Sequence, residues 1–394
     1  MGKGARMGLW GLGLLGGLSA VGLGLDGAGV AVRVAVRNPI ALARPAESVT
    51  IPADAVRAAL GLDDLRRVTV RDGAGGQELL AQVIDDNDDG RADALLVQVD
   101  LAAGETRALT VGAGEPRVLT VRDFRAYGRF VRERRDDFAW ENDRVAHRMY
   151  GAALETWVRE PLTSSGIDVW VKRTPRLVVN EWYMVDDYHR DTGEGADLYS
   201  VGRTRGCGGN GIWVGGRLLP SANFRDSRVL ANGPLRVSFE LTYAPWDANG
   251  LTVSEVKRIT LDAGHQLNRI ESWYTVHAAP RELQHAAGIR KNPASSVSTN
   301  AERGILRTWE PLKDGAGSLG CAVILAPAQV VEFTEADGNP LIVGRVPDGR
   351  VTYLAGSAWD RAGHLPTVDA WDRYLAEWSQ RFTNPVEVRV AAQP

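Results

Sequence analysis

The sequence predicts a mainly β protein: a small β-sandwich module followed by a large two-sheet sandwich. Three observations carry this. Short apolar runs alternate with polar residues along most of the chain. Asn-Gly and Asp-Gly pairs punctuate them at Asn232-Gly233, Asn249-Gly250 and Asp348-Gly349, the residues that tight hairpins require. Convincing helical periodicity is confined to two segments. Hydrophobic residues make up 44% of the 394, enough for a sizeable core and too many for a disordered chain.

The elements follow in order. Lys3 and Arg6 precede an uncharged apolar run from Met7 to about Leu25. A basic head before such a run is the layout of a secretory signal, so residues 1–29 are read as a signal peptide, with Gly27, Ala28 and Gly29 as cleavage candidates. This predicts an exported, periplasmic or extracellular protein without a permanent membrane span. From Val30, the residues Val32, Val34 and Val36 share one strand face, with Arg33 and Arg37 on the other. Similar runs at 48–51, 67–71, 79–84, 94–99 and 107–112 complete an N-terminal module over 30–115. Pro52 suits the first turn of a short helix over 52–60.

Residues 116–394 carry no linker and no low-complexity tract. Strands are expected at 177–185, 211–218, 235–243, 255–261, 267–276, 304–309, 320–325, 351–355 and 386–391. A helix is expected over 367–382, where Ala370, Tyr374, Leu375 and Trp378 fall on one face. At about 280 residues, this part is far longer than an immunoglobulin-like sandwich of roughly 100.

Composition removes several functions. Forty-six Lys and Arg against 49 Asp and Glu leave a net charge of −3, without the basic excess of a nucleic-acid protein. Two cysteines, Cys207 and Cys321, exclude a disulfide scaffold and a four-cysteine zinc site. After export the two could pair. There is no GxSxG elbow, no HExxH and no Walker loop. Twelve tryptophans against seven phenylalanines suit either sugar stacking or β-cores.

The densest polar stretch runs from Asp186 to Gly209, with Asp187, Tyr188, His189, Asp191, Glu194, Asp197 and Tyr199 in its first part. An apolar strand running into such a loop resembles a catalytic loop on a β-scaffold, the alternative being a solvated surface loop. A second crowd is WENDRVAHRMY, with Trp140, Asn142, Arg144, His147 and Arg148. It reads either as the lining of a groove or as a helix whose Trp140 and Met149 are core. A third is His277, His285, Arg290 and Lys291, which could neutralise an anionic group or form a solvent-facing basic loop. Asp85, Asn87 and Asp89, followed by Gly90 and Asp93, match the opening of a calcium loop. Leu96 at the twelfth position excludes a full EF-hand and leaves an acidic β-turn as the other reading. No cofactor is required by the sequence.

The stretches WENDRVAHRMYG, SGIDVW, DDYHRDTGEGADLY, VGRTRGCGG, IWVGGRL, YLAGSAWDRAG and WDRYL together resemble a bacterial family, the domain of unknown function 4861. His147 stands where family members often carry an aromatic or aliphatic residue. The resemblance implies a secreted protein of polysaccharide utilisation with a β-supersandwich similar to galactose mutarotase and to several polysaccharide lyases. It points to a glycan partner, with pectin-like uronic-acid polymers first. For a β-eliminating lyase the expected base is His189, the acid Tyr188 or Tyr199, and the carboxylate anchors Arg144, Arg205 or Arg290 with Asn142. Trp140, Trp170, Trp182 and Trp213 are candidate stacking surfaces, and Asp187, His189, Glu194 and Arg205 are expected to face one cleft. The alternatives are a glycoside hydrolase using Asp187 and Glu194, a sugar epimerase or mutarotase-like enzyme, and a non-catalytic glycan-binding protein.

Overall fold

The computed structural model describes residues 31–73, 76–159, 161–185, 187–277 and 282–392. Residues 1–30, where the signal peptide is expected, and Asp186 therefore lie outside the described residues. The chain is mainly β, in several antiparallel sheets.

In the first module the valines of Ala31–Arg37 alternate as their pattern requires, and Val32, Val34 and Val36 are fully buried. That strand pairs on one side with Thr106–Ala113 and on the other with the last strand of the chain, Glu387–Ala392. The C-terminus thus closes the sheet begun by the N-terminal module, a pairing across the whole sequence that no local pattern announces. A three-stranded sheet of Arg44–Pro52, Ala94–Leu101 and Ala81–Ile84 packs against it over a Val, Ile and Leu core. The helix Ala53–Leu60 starts just after Pro52 and ends on Gly61, whose left-handed backbone donates its N–H to Arg57.

The larger part has one eight-stranded sheet. Its spatial order is Asp226–Asn232, Arg236–Asp247, Thr252–Asp262, Leu267–His277, Arg350–Trp359, Ser318–Leu325, Ile305–Pro311 and Ser296–Asn300. Two five-stranded sheets cover its inner face, one built around Cys207–Val214 and Gln284–Ile289, the other around Asp137–Asn142, Ala146–Met149 and Asp168–Lys172. The Asn249-Gly250 turn has positive φ at both residues (59° and 85°), matching the hairpin reading. Cys207 and Cys321 are buried and adjacent, on opposing sheets, as free thiols. The helix Val368–Thr383 lays Trp371 and Leu375 on the outer face of the large sheet, and its Thr367 side chain accepts the Ala370 N–H.

Two local expectations are overturned. Residues 177–185 are not a strand. A short helix, Val179–Tyr183, forms there because the buried Glu141 carboxylate accepts the N–H groups of Val178 and Val179 at 2.8 and 2.7 Å. Lys172, itself fully buried, sits 2.6 Å from Glu141 and balances its charge. Residues 140–150, of which Arg148 and Tyr150 reach a pocket, are not a helix. They form the strands Asp137–Asn142 and Ala146–Met149 around a turn that the Asn142 side chain holds, accepting the N–H of Arg144 and of Val145.

Among the described residues, no helix is long and apolar enough to cross a membrane.

Candidate functional site

The loop 187–197 is ordered by its own acids. Asp187 accepts the His189 N–H at 3.3 Å, and Asp191 accepts the N–H groups of Gly193 and Gly195. Gly195 and Ala196 pair with the strand Asp168–Lys172. Gly195 has a φ of 121°, and a Cβ there would lie 1.9 Å from the Val171 carbonyl oxygen, so this docking requires glycine. The Asp197 N–H then bonds to the Tyr188 carbonyl, which places Tyr188, His189 and Asp197 side by side.

Beneath them lies Arg148. Its guanidinium is 2.5 Å from Asp168, 3.2 Å from Asp197 and 3.8 Å from Asp137. It also donates to the Tyr188 hydroxyl at 3.0 Å, and Arg134 donates to the same oxygen. Three buried carboxylates thus share one buried cation. Burial opposes the Arg148 charge, but Asp168 and Asp197 outweigh that and raise its pKa well above the ordinary value. Burial likewise raises Asp168 and Asp197, against the pull of Arg148. Asp137 is pushed up to about 7 by burial, only partly offset by Arg148. The three carboxylates outnumber the cation they share, and burial favours their protonated forms.

The cluster opens on a pocket of about 220 Å³ lined by Arg134, Arg135, Arg148, Tyr150, Trp157 and His189, among others. The His189 side chain is 58% exposed at its mouth. Its ring sits 4.4 Å from that of Tyr188, and Trp170 backs Tyr188 from below at 5.2 Å. His189 Nδ1 lies 3.1 Å from the Asp197 carbonyl oxygen and 3.4 Å from its carboxylate. The backbone carbonyl can only accept, so in the neutral ring Nδ1 carries the proton and Nε2 the lone pair. Arg135, over the Trp157 ring at 4.9 Å, and Asp136 are consecutive non-glycine residues in the left-handed region, with φ of 62° and 63°. Strain of this kind persists only where the surroundings impose it. Here Gly151 lies so close that a Cβ on it would be 1.7 Å from the Asp136 carbonyl oxygen.

Of the residues singled out from sequence, Tyr188 and His189 share this pocket, with Asp187 capping the His189 backbone and Trp170 behind. The expected cleft of Asp187, His189, Glu194 and Arg205 does not form. Glu194 turns to Arg176, which binds both its oxygens at 2.9 Å and lowers its pKa. Arg205 is buried against Ser165, and burial pushes it down to about 10. Trp140, Trp170 and Trp213 offer no ring to a sugar. The first two are fully buried, Trp140 donating to Asn268, and Trp213 packs with Leu218, Leu341 and Val343. Trp182 is half-buried, stacked on Trp170. Asn142 spends all its capacity, since its amide also donates to the carbonyls of Asp262 and His265. His147 is sealed in the core, and burial pushes it down to about 4. His285 is sealed likewise, pushed down to about 3. Arg144 contacts His364 on another surface. Tyr199 lies buried beside Cys321, beneath Arg290, which pairs with Glu310. In the acidic turn, Asp85 accepts the N–H groups of Asp88 and Gly90, Asn87 that of Asp89, Asp89 that of Arg91, and Asp93 that of Asp86. Among the described residues, no group of three or more His, Cys, Asp or Glu is arranged to hold a metal.

Sequence reasoning missed Asp137, Asp168, Arg134 and Arg135, and gave no role to Arg148 or Asp197. Strand alternation was the available signal for Arg148: with His147 on the core face, its neighbour had to face the opposite side.

Known proteins resemble the chain in sequence and in fold. A protein of Formosa agariphila, named uncharacterized protein P7, is 33% identical over 374 residues, 91% of this chain and 93% of its own length. Among solved structures, a glycosyl hydrolase family 38 protein from Enterococcus faecalis matches 92% of the chain with a TM-score of 0.53 at 9% identity. An alpha-mannosidase from Enterococcus faecalis V583 covers the same share at 0.49 and 10%. The chain spans about half the length of those two structures, 48% and 46%, and the first of them shows a shared fold. The family model for the domain of unknown function DUF4861 matches residues 36–388, and the chain belongs to this family.

Proposed function

We propose that this chain is a carbohydrate-active enzyme that cleaves uronic-acid-containing glycans by β-elimination in the His189 pocket. The observation that carries the reading is the free Nε2 of a half-exposed His189, set against a tyrosine hydroxyl that accepts from two guanidiniums. The Tyr188 lone pairs are occupied, so its O–H is free to donate into the pocket. In the proposed step, Arg134 and Arg135 hold the sugar carboxylate and stabilise the charge that develops on it. His189 Nε2 takes the C5 proton, the C5 electron pair forms the C4–C5 double bond, and the C4–O bond breaks. The leaving oxygen takes the Tyr188 proton. Asp197 orients His189, and the buried Arg148 cluster fixes Tyr188.

The reading is tested by incubating the protein with a panel of uronic-acid polysaccharides and oligosaccharides, following ultraviolet absorbance and reducing ends together. A lyase raises both. New reducing ends without absorbance indicate hydrolysis, which has one observation in its favour: Asp137, held near neutral pKa, has the character of a general acid. No product from any of the glycans would overturn the proposal.

A further inference from the structure

A second opening lies away from the His189 pocket, where the two modules and the C-terminal helix meet. It is a cleft of about 380 Å³, within the roughly 300–1,000 Å³ usual for small-ligand sites. Its floor is the outer face of the large sheet, one wall is the strand Arg44–Pro52, and the other is the end of the helix Val368–Thr383.

The wall chemistry is that of a sugar site. Trp378 and Phe382, four residues apart on one helix face, are both half-buried along it. Thr50 brings an exposed hydroxyl. His265 donates Nε2–H to the Ala46 carbonyl at 3.0 Å, which leaves its Nδ1 as an acceptor.

The charges are unequal. Two carboxylates line the cleft and both are engaged: Asp262 by Arg236 at 2.6 and 2.8 Å, and Glu47 by the buried Arg44 at 3.1 Å. Two further guanidiniums remain. Arg381 is 6% exposed, donates to the Ala43 carbonyl at 3.3 Å, lies over the Trp378 ring at 5.1 Å and reaches Glu47 at 3.7 Å, with only its buried Nε–H unpartnered. Arg269 is 46% exposed and lies 3.5 Å from Glu271, which Arg350 also engages. Aromatic rings, a hydroxyl and one half-exposed planar fork, Arg269, that matches a carboxylate are together what an acidic pyranose requires.

We propose that this cleft is a second, non-catalytic binding site for acidic saccharides, holding a distant stretch of the polymer that the His189 pocket cuts. The choice of ligand rests on the reading given under Proposed function; the location does not.

The test uses the His189→Ala protein, so that nothing turns over, and isothermal titration with an oligogalacturonide and a neutral galacto-oligosaccharide. Two classes of site are expected for the acidic probe. Arg269→Ala and, separately, Arg269→Glu should weaken one of them roughly ten-fold or more, the usual worth of a charge-assisted contact. Arg134→Ala should weaken the other. Arg269 is half-exposed, so both of its variants should keep the parent melting temperature. With His189 restored, Arg269→Ala should leave turnover of a short oligosaccharide unchanged and raise KM only for long polymer. Binding that Arg134→Ala alone weakens overturns this cleft and leaves the His189 reading intact. Binding that Arg269→Ala alone weakens upholds the cleft and counts against the pocket. Equal affinity for the neutral probe, or no binding of either, overturns the acidic-saccharide site.

Discussion

Two clusters of charge are buried in the large sandwich, and they are built on opposite principles. In one, Lys257 faces Glu255 at 3.6 Å, with the Tyr243 hydroxyl 3.4 Å from the ammonium and Asn210 Nδ2 lying 3.3, 3.0 and 2.6 Å from Glu255, Ser272 and Tyr274. The ammonium faces one carboxylate, and no side chain of the set reaches the surface. Burial, with a smaller push from the buried Arg205, lowers the Lys257 pKa, and Glu255 resists it. In the other, Arg148 meets three carboxylates and the cluster opens on a pocket. A matched, sealed pair has nothing to exchange with solvent. In the unmatched cluster burial pushes carboxylates toward their protonated forms beside an opening, the arrangement found where proton transfer is the task. The difference between them is net charge and access, not the presence of buried ions.

The sharpest way to break the comparison is at the mouth of the open cluster. His189→Ala is expected to lower turnover of the glycan substrate by about a hundred- to ten-thousand-fold, the usual worth of a general base. Its side chain is 58% exposed, so the melting temperature should stay within a degree or two of wild type, about what a surface substitution gives. Turnover within a few-fold of wild type would place the proton transfer elsewhere.

The closed cluster should behave the other way. Lys257→Met strands Glu255 without its cation, and breaking a buried pair costs about 3–5 kcal/mol. The loss should appear as a lower denaturant midpoint. Adding Glu255→Leu should recover much of it, because the charge that was left unpaired is gone. If Lys257→Met is neutral by urea titration, the pair carries no charge in the folded protein.

What local pattern could reveal was revealed. Alternation placed the valines of Ala31–Arg37, and the 367–382 periodicity placed the C-terminal helix, because in both cases the partner surface only has to be apolar. The loop that brings Tyr188 and His189 together was visible as a crowd of acids, glycines and aromatic residues. The rest of the pocket was not, since it depends on partners distant in sequence. The strand at 177–185 failed because Glu141, nearly forty residues earlier, supplies the helix cap. Trp140 and Trp170 were offered to a sugar on residue type alone, whereas burial decides whether an indole is a platform or a prop. Arg135 and Asp136 adopt left-handed backbone with no glycine or asparagine to announce it.

The subtlest distinction between the clusters is a matter of protons, and Asp137 tests it. Its pKa rises from 3.8 to about 7 on folding, because burial penalises the carboxylate more than Arg148 favours it. Between those values the folded protein holds a proton that the unfolded chain has released. Its contribution therefore favours folding at the acid end, is lost as pH climbs from about 4 to about 7, and is flat above that. Asp137→Asn removes the titration and can still accept the Gly151 N–H, which Asp137 accepts at 3.2 Å. It also removes one repelling charge from Asp197, which lets it ionise more readily. Urea midpoints taken at about pH 5 and about pH 8 should therefore fall less in the variant than in wild type. Parallel behaviour of the two proteins would mean that Asp137 is ionised throughout. Activity separates the two chemistries at the same position. In β-elimination Asp137 touches neither the C5 proton nor the leaving oxygen, so the variant should keep turnover within a few-fold. A hydrolase that draws its acid from Asp137 should instead lose about a hundred-fold or more.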